Sequence, residues 1–183
     1  MTDADSSAPA GLPGGAAVGH WVLDPQKSSV GVSQKHMWGL ITVRLRFSEL
    51  AGEGDVSADG SVTGTLRVGA ASVDTKNPKR DKHLRSADFF HADAHTHITF
   101  TAKDARLDDN GGLAVSGDLE AAGTSRPMSL TANVSEVSPD SATLMATVNV
   151  DRLDYGMTWN SMGMMVKTPA TVSVTAHFTR QPA

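Results

Sequence analysis

The sequence predicts an all-β protein, an eight-stranded antiparallel up-and-down barrel with one short helix. From Trp21 onward, apolar residues alternate with polar ones at a period of two, which is typical of strands with one buried face. Turn sequences such as Asp59-Gly60 and Pro139-Asp140 separate these segments, so successive strands are expected to be antiparallel neighbours. Closing about eight such strands on themselves leaves no exposed edge, and a two-sheet sandwich is the alternative with the same periodicity.

The strands are predicted in chain order from the residues that share the apolar parity. These are Val30 and Val32; Val43, Leu45 and Phe47; Val62, Leu66, Val68 and Ala70; Ile98, Phe100 and Ala102; Leu113, Val115, Leu119 and Ala121; Met128, Leu130, Ala132 and Val134; Leu144, Ala146, Val148 and Val150; and Ala170, Val172, Val174, Ala176 and Phe178. Most of them are small or medium-sized aliphatic residues. A barrel of this size lined by such residues is expected to keep a ligand cavity, and a simply packed core is the alternative.

One segment between the strands predicts a helix. Asn77-Pro78 has the character of a turn, and Asp81 is the predicted N-cap of a short helix that runs to about Asp88. Arg80 is a candidate partner of Asp81 in an ion pair that would fix the turn. The side chains expected to face the sheet are Leu84, Phe89 and Phe90, and those expected to make the outer face positive are Lys79, Arg80, Lys82 and Arg85.

A second interruption runs from Leu153 to Lys167 and is rich in methionine and glycine. Methionine is unbranched and adaptable, so a loop of this composition suits a flexible apolar ligand. The segment is therefore expected either to gate one end of the barrel or simply to plug it.

Length and composition fit one domain. The chain has 183 residues, of which 39% are hydrophobic and 20% charged. A net charge of −4 argues against nucleic-acid binding, and the absence of cysteine excludes disulfides, thiol catalysis and cysteine-based zinc sites. Residues 1–19 predict a disordered tail before a barrel domain at 20–183. No signal peptide or transmembrane segment is recognisable, so a cytoplasmic location is expected.

Several segments, taken together and in order, resemble the YceI-like family from Trp21 nearly to the C-terminus. The resemblance is carried by Trp21–Pro25 with Ser28–Val30, by Lys35-His36-Met37, by Ala71–Thr75 followed by Arg80–Leu84 and Asp88-Phe89-Phe90, by Gly123–Pro127 and by Arg152–Met157. The chain departs from the family at His95-Thr96, where a Tyr-Pro pair is usual, and at Leu45, where glycine is common.

The resemblance implies a lipocalin-like barrel that binds and carries a polyisoprenoid or isoprenoid-quinone-type lipid, with no cofactor and no catalytic residue. A phosphate head would meet Arg80, His83 or Arg85 at the mouth. Homodimerisation is compatible with the sequence. The expected ligand-binding residues are Val32, His36, Met37, Phe47, Leu66, Val68, Arg80, His83, Leu84, Phe89, Phe90, Phe100, Leu119, Leu130, Val148, Tyr155, Met157, Trp159, Met162, Met164 and Val174.

Two other functions are compatible with the residues. A metal-dependent enzyme would use the neighbouring histidines His91, His95 and His97, yet neither an HExxH sequence nor a Gly-x-Ser-x-Gly elbow is present. A copper-binding module would use the thioethers of Met157, Met162, Met164 and Met165. A lipid gate needs the same adaptable side chains, so the sequence does not separate these two functions.

Overall fold

The computed structural model describes residues 15–36, 40–107, 111–160 and 169–182. This part of the chain contains one α-helix, α1 (Pro78–Arg85), and two short 3-10 helices, Ala70–Ser72 and Arg152–Tyr155. The strands are β1 (Gly19–Leu23), β2 (Ser29–His36), β3 (Ile41–Phe47), β4 (Leu50–Val56), β5 (Val62–Gly69), β6 (Val73–Asp74), β7 (His97–Leu107), β8 (Leu113–Ala121), β9 (Thr124–Ser135), β10 (Ser141–Val150) and β11 (Ala170–Arg180). No helix in the described ranges has the length and apolar character needed to cross a membrane.

The strands close into an antiparallel barrel. The ring runs β1, β4, β5, β7, β8, β9, β10, β11, and β11 pairs back to β1. The long strand β11 pairs with β1 near its end and with β2 over Thr171–Thr175, so β1 and β2 act as one bent strand; β3 and β4 do the same on the other side. Eight strands therefore surround the axis, each beside its neighbour in sequence. The predicted up-and-down barrel is confirmed, and its closure rules out the two-sheet sandwich.

Strand β4 does not appear among the predicted strands because its inner positions are glycines. Gly54 lies directly opposite Gly64 of β5. A Cβ atom at Gly54 would come within 2.7 Å of the carbonyl oxygen of Thr63, and one at Gly64 within 2.9 Å of that of Glu53. Glycine permits this close approach of two backbones, and it removes the apolar side chains by which the strand would be detected.

Helix α1 begins earlier than predicted. Asn77 is the N-cap, and its Oδ1 accepts hydrogen bonds from the backbone N–H groups of Lys79 (3.1 Å) and Arg80 (3.2 Å). Pro78 takes the first helical position, where its missing N–H costs nothing. The helix ends at Arg85, so the prediction of a helix capped by Asp81 and running to Asp88 is wrong in its bounds.

Asp81 is a buried anchor of the helix rather than its cap. Its Oδ1 accepts hydrogen bonds from the backbone N–H of Thr75 (2.9 Å) and from the Thr75 hydroxyl (2.6 Å). Arg80 donates from Nε to the same hydroxyl oxygen at 2.8 Å, so Thr75 connects the two side chains that were expected to pair directly. Arg85 donates to the carbonyl oxygens of Ala71 (2.7 Å) and Val73 (3.0 Å). These bonds fasten α1 to the segment that precedes it.

Candidate functional site

The barrel encloses a cavity of about 830 Å³. Apolar side chains from β2, β3, β5 and β7 to β11 line it, and these are the residues of the predicted inner parity. Pockets for small molecules typically occupy roughly 300–1,000 Å³, so this cavity is large enough for a sizeable apolar ligand.

The inner side chains face open space rather than one another. Leu66, Val148 and Val174 lie on three different strands, point to the barrel axis and are each only half-buried. Among the described residues, the largest side chain with essentially no exposure is Val73, which lies beside the barrel mouth and not at its centre. The structure thus has a cavity where a simply packed core was the alternative.

One end of the barrel is closed by apolar side chains. Ala16, Trp21 and Val56 are buried there, and Phe178 packs against them. The indole Nε1 of Trp21 donates to the carbonyl oxygen of Ala17 at 3.1 Å, which holds the chain before β1 across this opening. We call this the closed end. A ligand that fills the cavity would meet hydrocarbon here.

The opposite end, which we call the mouth, is formed by α1 together with residues 86–92 and 152–160. Aromatic rings meet across it: the rings of His83 and Trp159 lie 4.4 Å apart at 89°, and those of Phe47 and Phe90 lie 5.7 Å apart at 62°. Phe89 packs between the first two, 5.1 Å from His83. Edge-to-face contacts of this kind stabilise an ordered apolar collar. The His83 Nε2 atom is also 2.8 Å from a carboxylate oxygen of Asp88.

The basic groups that line the cavity gather at the mouth. Arg80, His83 and Arg152 line it there, with His36 at the end of β2. Burial lowers the pKa of Arg152, and one of its terminal nitrogens donates to the carbonyl oxygen of Met157. Burial also lowers the pKa of His36 below its ordinary value of 6.5, and the positive charges of Arg152 and Arg80 lower it further. The imidazole is therefore mainly neutral at pH 7, beside two cations that favour an anionic or hydrogen-bond-accepting group.

The structure brings the expected ligand-binding residues together around this cavity. Those of them that it describes all line it: Val32, His36, Phe47, Leu66, Val68, Arg80, His83, Leu84, Phe89, Phe90, Phe100, Leu119, Leu130, Val148, Tyr155, Met157, Trp159 and Val174. Met37, Met162 and Met164 lie outside the described residues. That the lining residues contact a ligand stays a prediction.

Two arginines differ from expectation. Arg85 was a candidate for the phosphate head, but it does not line the cavity and its guanidinium is held by the Ala71 and Val73 carbonyls. Arg152, which does line it, is missing from the predicted set. Its signal was present in the sequence: Arg152 continues the inward alternation of Val148 and Val150 past the end of β10.

The histidines considered for a metal do not form a ligand set. His91 and His95 stack at 5.4 Å, while His97 contacts Thr96 and lies 3.9 Å from Glu49. Within the described ranges, no group of three or more histidine, aspartate or glutamate side chains is arranged to hold a metal ion. Of the methionines considered for copper, Met157 is buried beside Tyr155; Met162, Met164 and Met165 lie outside the described residues.

Comparison with known proteins agrees with this architecture. A UPF0312 protein of Shewanella baltica is 29% identical over 125 residues, which cover 66% of this chain and 65% of that relative, so the chain spans just under two thirds of the relative's length. The crystal structure of BcnA from Burkholderia cenocepacia matches with a TM-score of 0.76 at 15% identity, over 85% of this chain and 98% of that one.

A polyisoprenoid binding domain from Saccharophagus degradans, implicated in plant cell wall breakdown, matches with a TM-score of 0.71 at 17% identity, over 88% of this chain and 98% of that one. At such identities these structures establish the shared fold. The sequence model of the YceI-like domain matches residues 21–179, which takes in the barrel from β1 to β11. The chain therefore belongs to the YceI-like family.

Proposed function

We propose that this protein binds a polyisoprenoid, or a similar amphiphilic lipid such as an isoprenoid quinone, inside the barrel and carries it as a soluble complex. The observation that carries the proposal is the cavity of about 830 Å³, lined by aliphatic side chains with its basic groups at one end. A chain of hydrocarbon with a polar head has the same distribution of properties. The Saccharophagus degradans domain, described as polyisoprenoid binding, supports the ligand class by its shared fold.

The energetics suit a prenyl chain. Burial of a methylene group contributes about 0.8 kcal/mol, so a prenyl unit of about five carbons contributes up to about 4 kcal/mol. Association and ordering of the chain cost roughly 4–15 kcal/mol. A few prenyl units therefore suffice for micromolar affinity, which corresponds to about −8 kcal/mol.

We propose that the ligand head lies beside Arg152 and that the protein binds rather than transforms its ligand. Arg152 and Arg80 offer positive charge where the chain of the ligand would end. His36, a titratable side chain in the same place, faces these cations instead of a carboxylate that would orient it as a general base. The arrangement favours recognition of an anion or an acceptor oxygen over proton transfer.

Mass spectrometry of an organic extract tests the ligand class directly. The protein purified without detergent is expected to yield an isoprenoid lipid in near-stoichiometric amount, or to bind one when prenyl phosphates and isoprenoid quinones are added. Trp159 at the mouth provides a fluorescence signal for the added lipids. An empty extract together with no saturable response to either lipid would refute the proposal.

The position of the head is tested with Arg152→Gln and two ligands of equal chain length, a prenyl phosphate and a prenyl alcohol. Hydrogen bonds to charged groups contribute about 1.5–3 kcal/mol, so the variant is expected to bind the phosphate about 10- to 150-fold more weakly and the alcohol nearly as before. Arg126→Gln is the matched control, since Arg126 donates to the Asp154 carbonyl oxygen and does not line the cavity. An equal loss for both ligands would show that Arg152 acts only through Met157.

A further inference from the structure

We propose that the mouth of the barrel docks onto an anionic lipid bilayer, so that the ligand passes between bilayer and cavity without crossing water. This inference rests on the proposed lipid-binding function and adds the partner from which the lipid comes. It is carried by two independent features of the rim around the mouth, an exposed apolar tip and a set of basic side chains without ion-pair partners.

The apolar tip lies at the turn between β2 and β3. Leu40 is 81% exposed and Ile41 is 48% exposed. Ile41 pairs with His36, and His36 lines the cavity, so the tip stands directly beside the opening. Leu153, 41% exposed, adds a third apolar side chain next to Arg152 at the same end. Side chains of this kind are suited to the boundary between lipid headgroups and acyl chains.

Basic residues surround the tip. Residues 33–46 include Lys35, Arg44 and Arg46 and no acidic residue. On α1, Lys79 and Lys82 are exposed, and none of the ion pairs within the described ranges involves Lys35, Lys79 or Lys82.

The acidic residues near the mouth offset this charge only in part. Asp81 is buried and bonded to Thr75, and Asp88 is 2.8 Å from His83. Asp151 accepts from the Leu153 N–H as the cap of the 3-10 helix, and Asp154 is exposed beside it. The negative charge thus lies on the 86–88 and 151–154 segments, and the β2–β3 hairpin and the outer face of α1 remain basic.

The closed end has the opposite character. Glu53 and Asp55 on β4 and Asp59 in the next turn lie at that end. The whole chain carries a net charge of −4, so the basic rim stands out against an acidic remainder. A negatively charged bilayer would attract the mouth and repel the closed end, and this orients the opening toward the lipid.

A bilayer fits this rim better than a second copy of the chain does. A symmetric dimer through the mouth would bring two identical basic hairpins and helices face to face, and like charges opposed across an interface are unfavourable. An anionic membrane surface complements the charge and accepts the leucines at the same time.

Vesicle flotation tests the docking. The protein is expected to float with vesicles of phosphatidylcholine and phosphatidylglycerol, to stay behind with phosphatidylcholine alone and to be released by high salt. At about 1 kcal/mol for each basic residue near an anionic surface, Lys35→Gln with Lys82→Gln is expected to weaken binding about 30-fold. Lys27→Gln with Arg106→Gln removes the same charge from exposed positions away from the mouth and is expected to change little.

The apolar tip is tested in parallel. Leu40→Thr is expected to weaken vesicle binding about tenfold, the equivalent of about 1.5 kcal/mol for burial of a leucine side chain. Met145→Thr is the matched control, because Met145 is 42% exposed on the outer wall of β10. Equal effects of Leu40→Thr and Met145→Thr would overturn the role of the tip.

The two proposals fail in distinguishable ways. Lys35 and Lys82 do not line the cavity, so their variants are expected to bind added lipid normally. A wild-type protein that binds lipid in solution but ignores phosphatidylglycerol vesicles at low salt would overturn the docking and leave the carrier function intact. Binding to vesicles with an empty extract would overturn the carrier function alone. A dimer in sedimentation experiments that Leu40→Thr dissociates would assign the rim to a second copy and also overturn the docking.

Discussion

Replacing Ala146 with phenylalanine is expected to weaken lipid binding strongly while the barrel stays folded. Ala146 lies in the middle of β10, is paired with Val174 of β11, and lines the cavity. The phenylalanine ring would project into open space at this level of the barrel. It would occupy about the volume of one prenyl unit of roughly five carbons.

The size of the effect follows from the hydrocarbon that is displaced. Loss of one prenyl unit removes up to about 4 kcal/mol, and contact of the new ring with the remaining chain offsets part of this. A loss of about 2–4 kcal/mol corresponds to roughly 30- to 1,000-fold weaker binding. In a packed core, the same insertion would instead destabilise the fold by about 1–3 kcal/mol.

Two measurements separate these outcomes, a fluorescence titration with a prenyl lipid and urea unfolding followed by circular dichroism. Thr147→Phe is the control, because Thr147 is the next residue of β10 and is exposed on the outer face. If Ala146→Phe binds lipid like the wild type and unfolds at lower urea, the interior is filled by its own side chains and the reasoning is refuted.

Three further predictions follow from particular contacts. Asp81→Ala leaves a buried N–H and hydroxyl without an acceptor, so we expect a loss of about 3 kcal/mol and a Tm lower by roughly 6–12 °C, against less than about 1 kcal/mol for the half-exposed Asp88→Ala. Gly54→Ala is expected to cost about 1–3 kcal/mol in urea unfolding, whereas Gly31→Ala, with its nearest contact at 3.7 Å, costs much less. Because the pKa of His36 is lowered on folding, its protonation opposes folding: the stability present above pH 6.5 falls as the pH drops through the folded pKa, and His36→Gln should remove that part of the loss in acid denaturation.

The alternation of apolar and polar residues was sufficient to predict the cavity lining. In a strand the side chains point to opposite faces in turn, so parity alone assigns Leu66, Val148 and Val174 to the interior before any pairing is known. The predicted parity holds along β10 and β11 to their ends. It shifts once, at the irregularity between Ala102 and Asp104 of β7, after which Ala105 is the buried residue.

Contacts between distant segments could not be predicted in this way. The role of Asp81 depends on Thr75 reaching it from the preceding strand, and Arg85 is held by carbonyl groups that no sequence pattern marks. Asn77-Pro78, in contrast, was a local signal that was misread as a turn, although an N-cap followed by proline is a usual helix start. The missing Arg152 belongs to the same class, since extending the parity of β10 by one step would have included it.

The difference between the two ends of the barrel determines how an amphiphile can enter. At the closed end, Trp21, Val56 and Phe178 present hydrocarbon, and the nearby carboxylates of Glu53 and Asp55 would repel an anion. A charged head placed there would lose its water without gaining a partner, which is costly in an apolar environment. At the mouth the same head would meet guanidinium groups and bulk water. The chain of the ligand must therefore enter first, toward the closed end, and its head must remain where the barrel faces a bilayer.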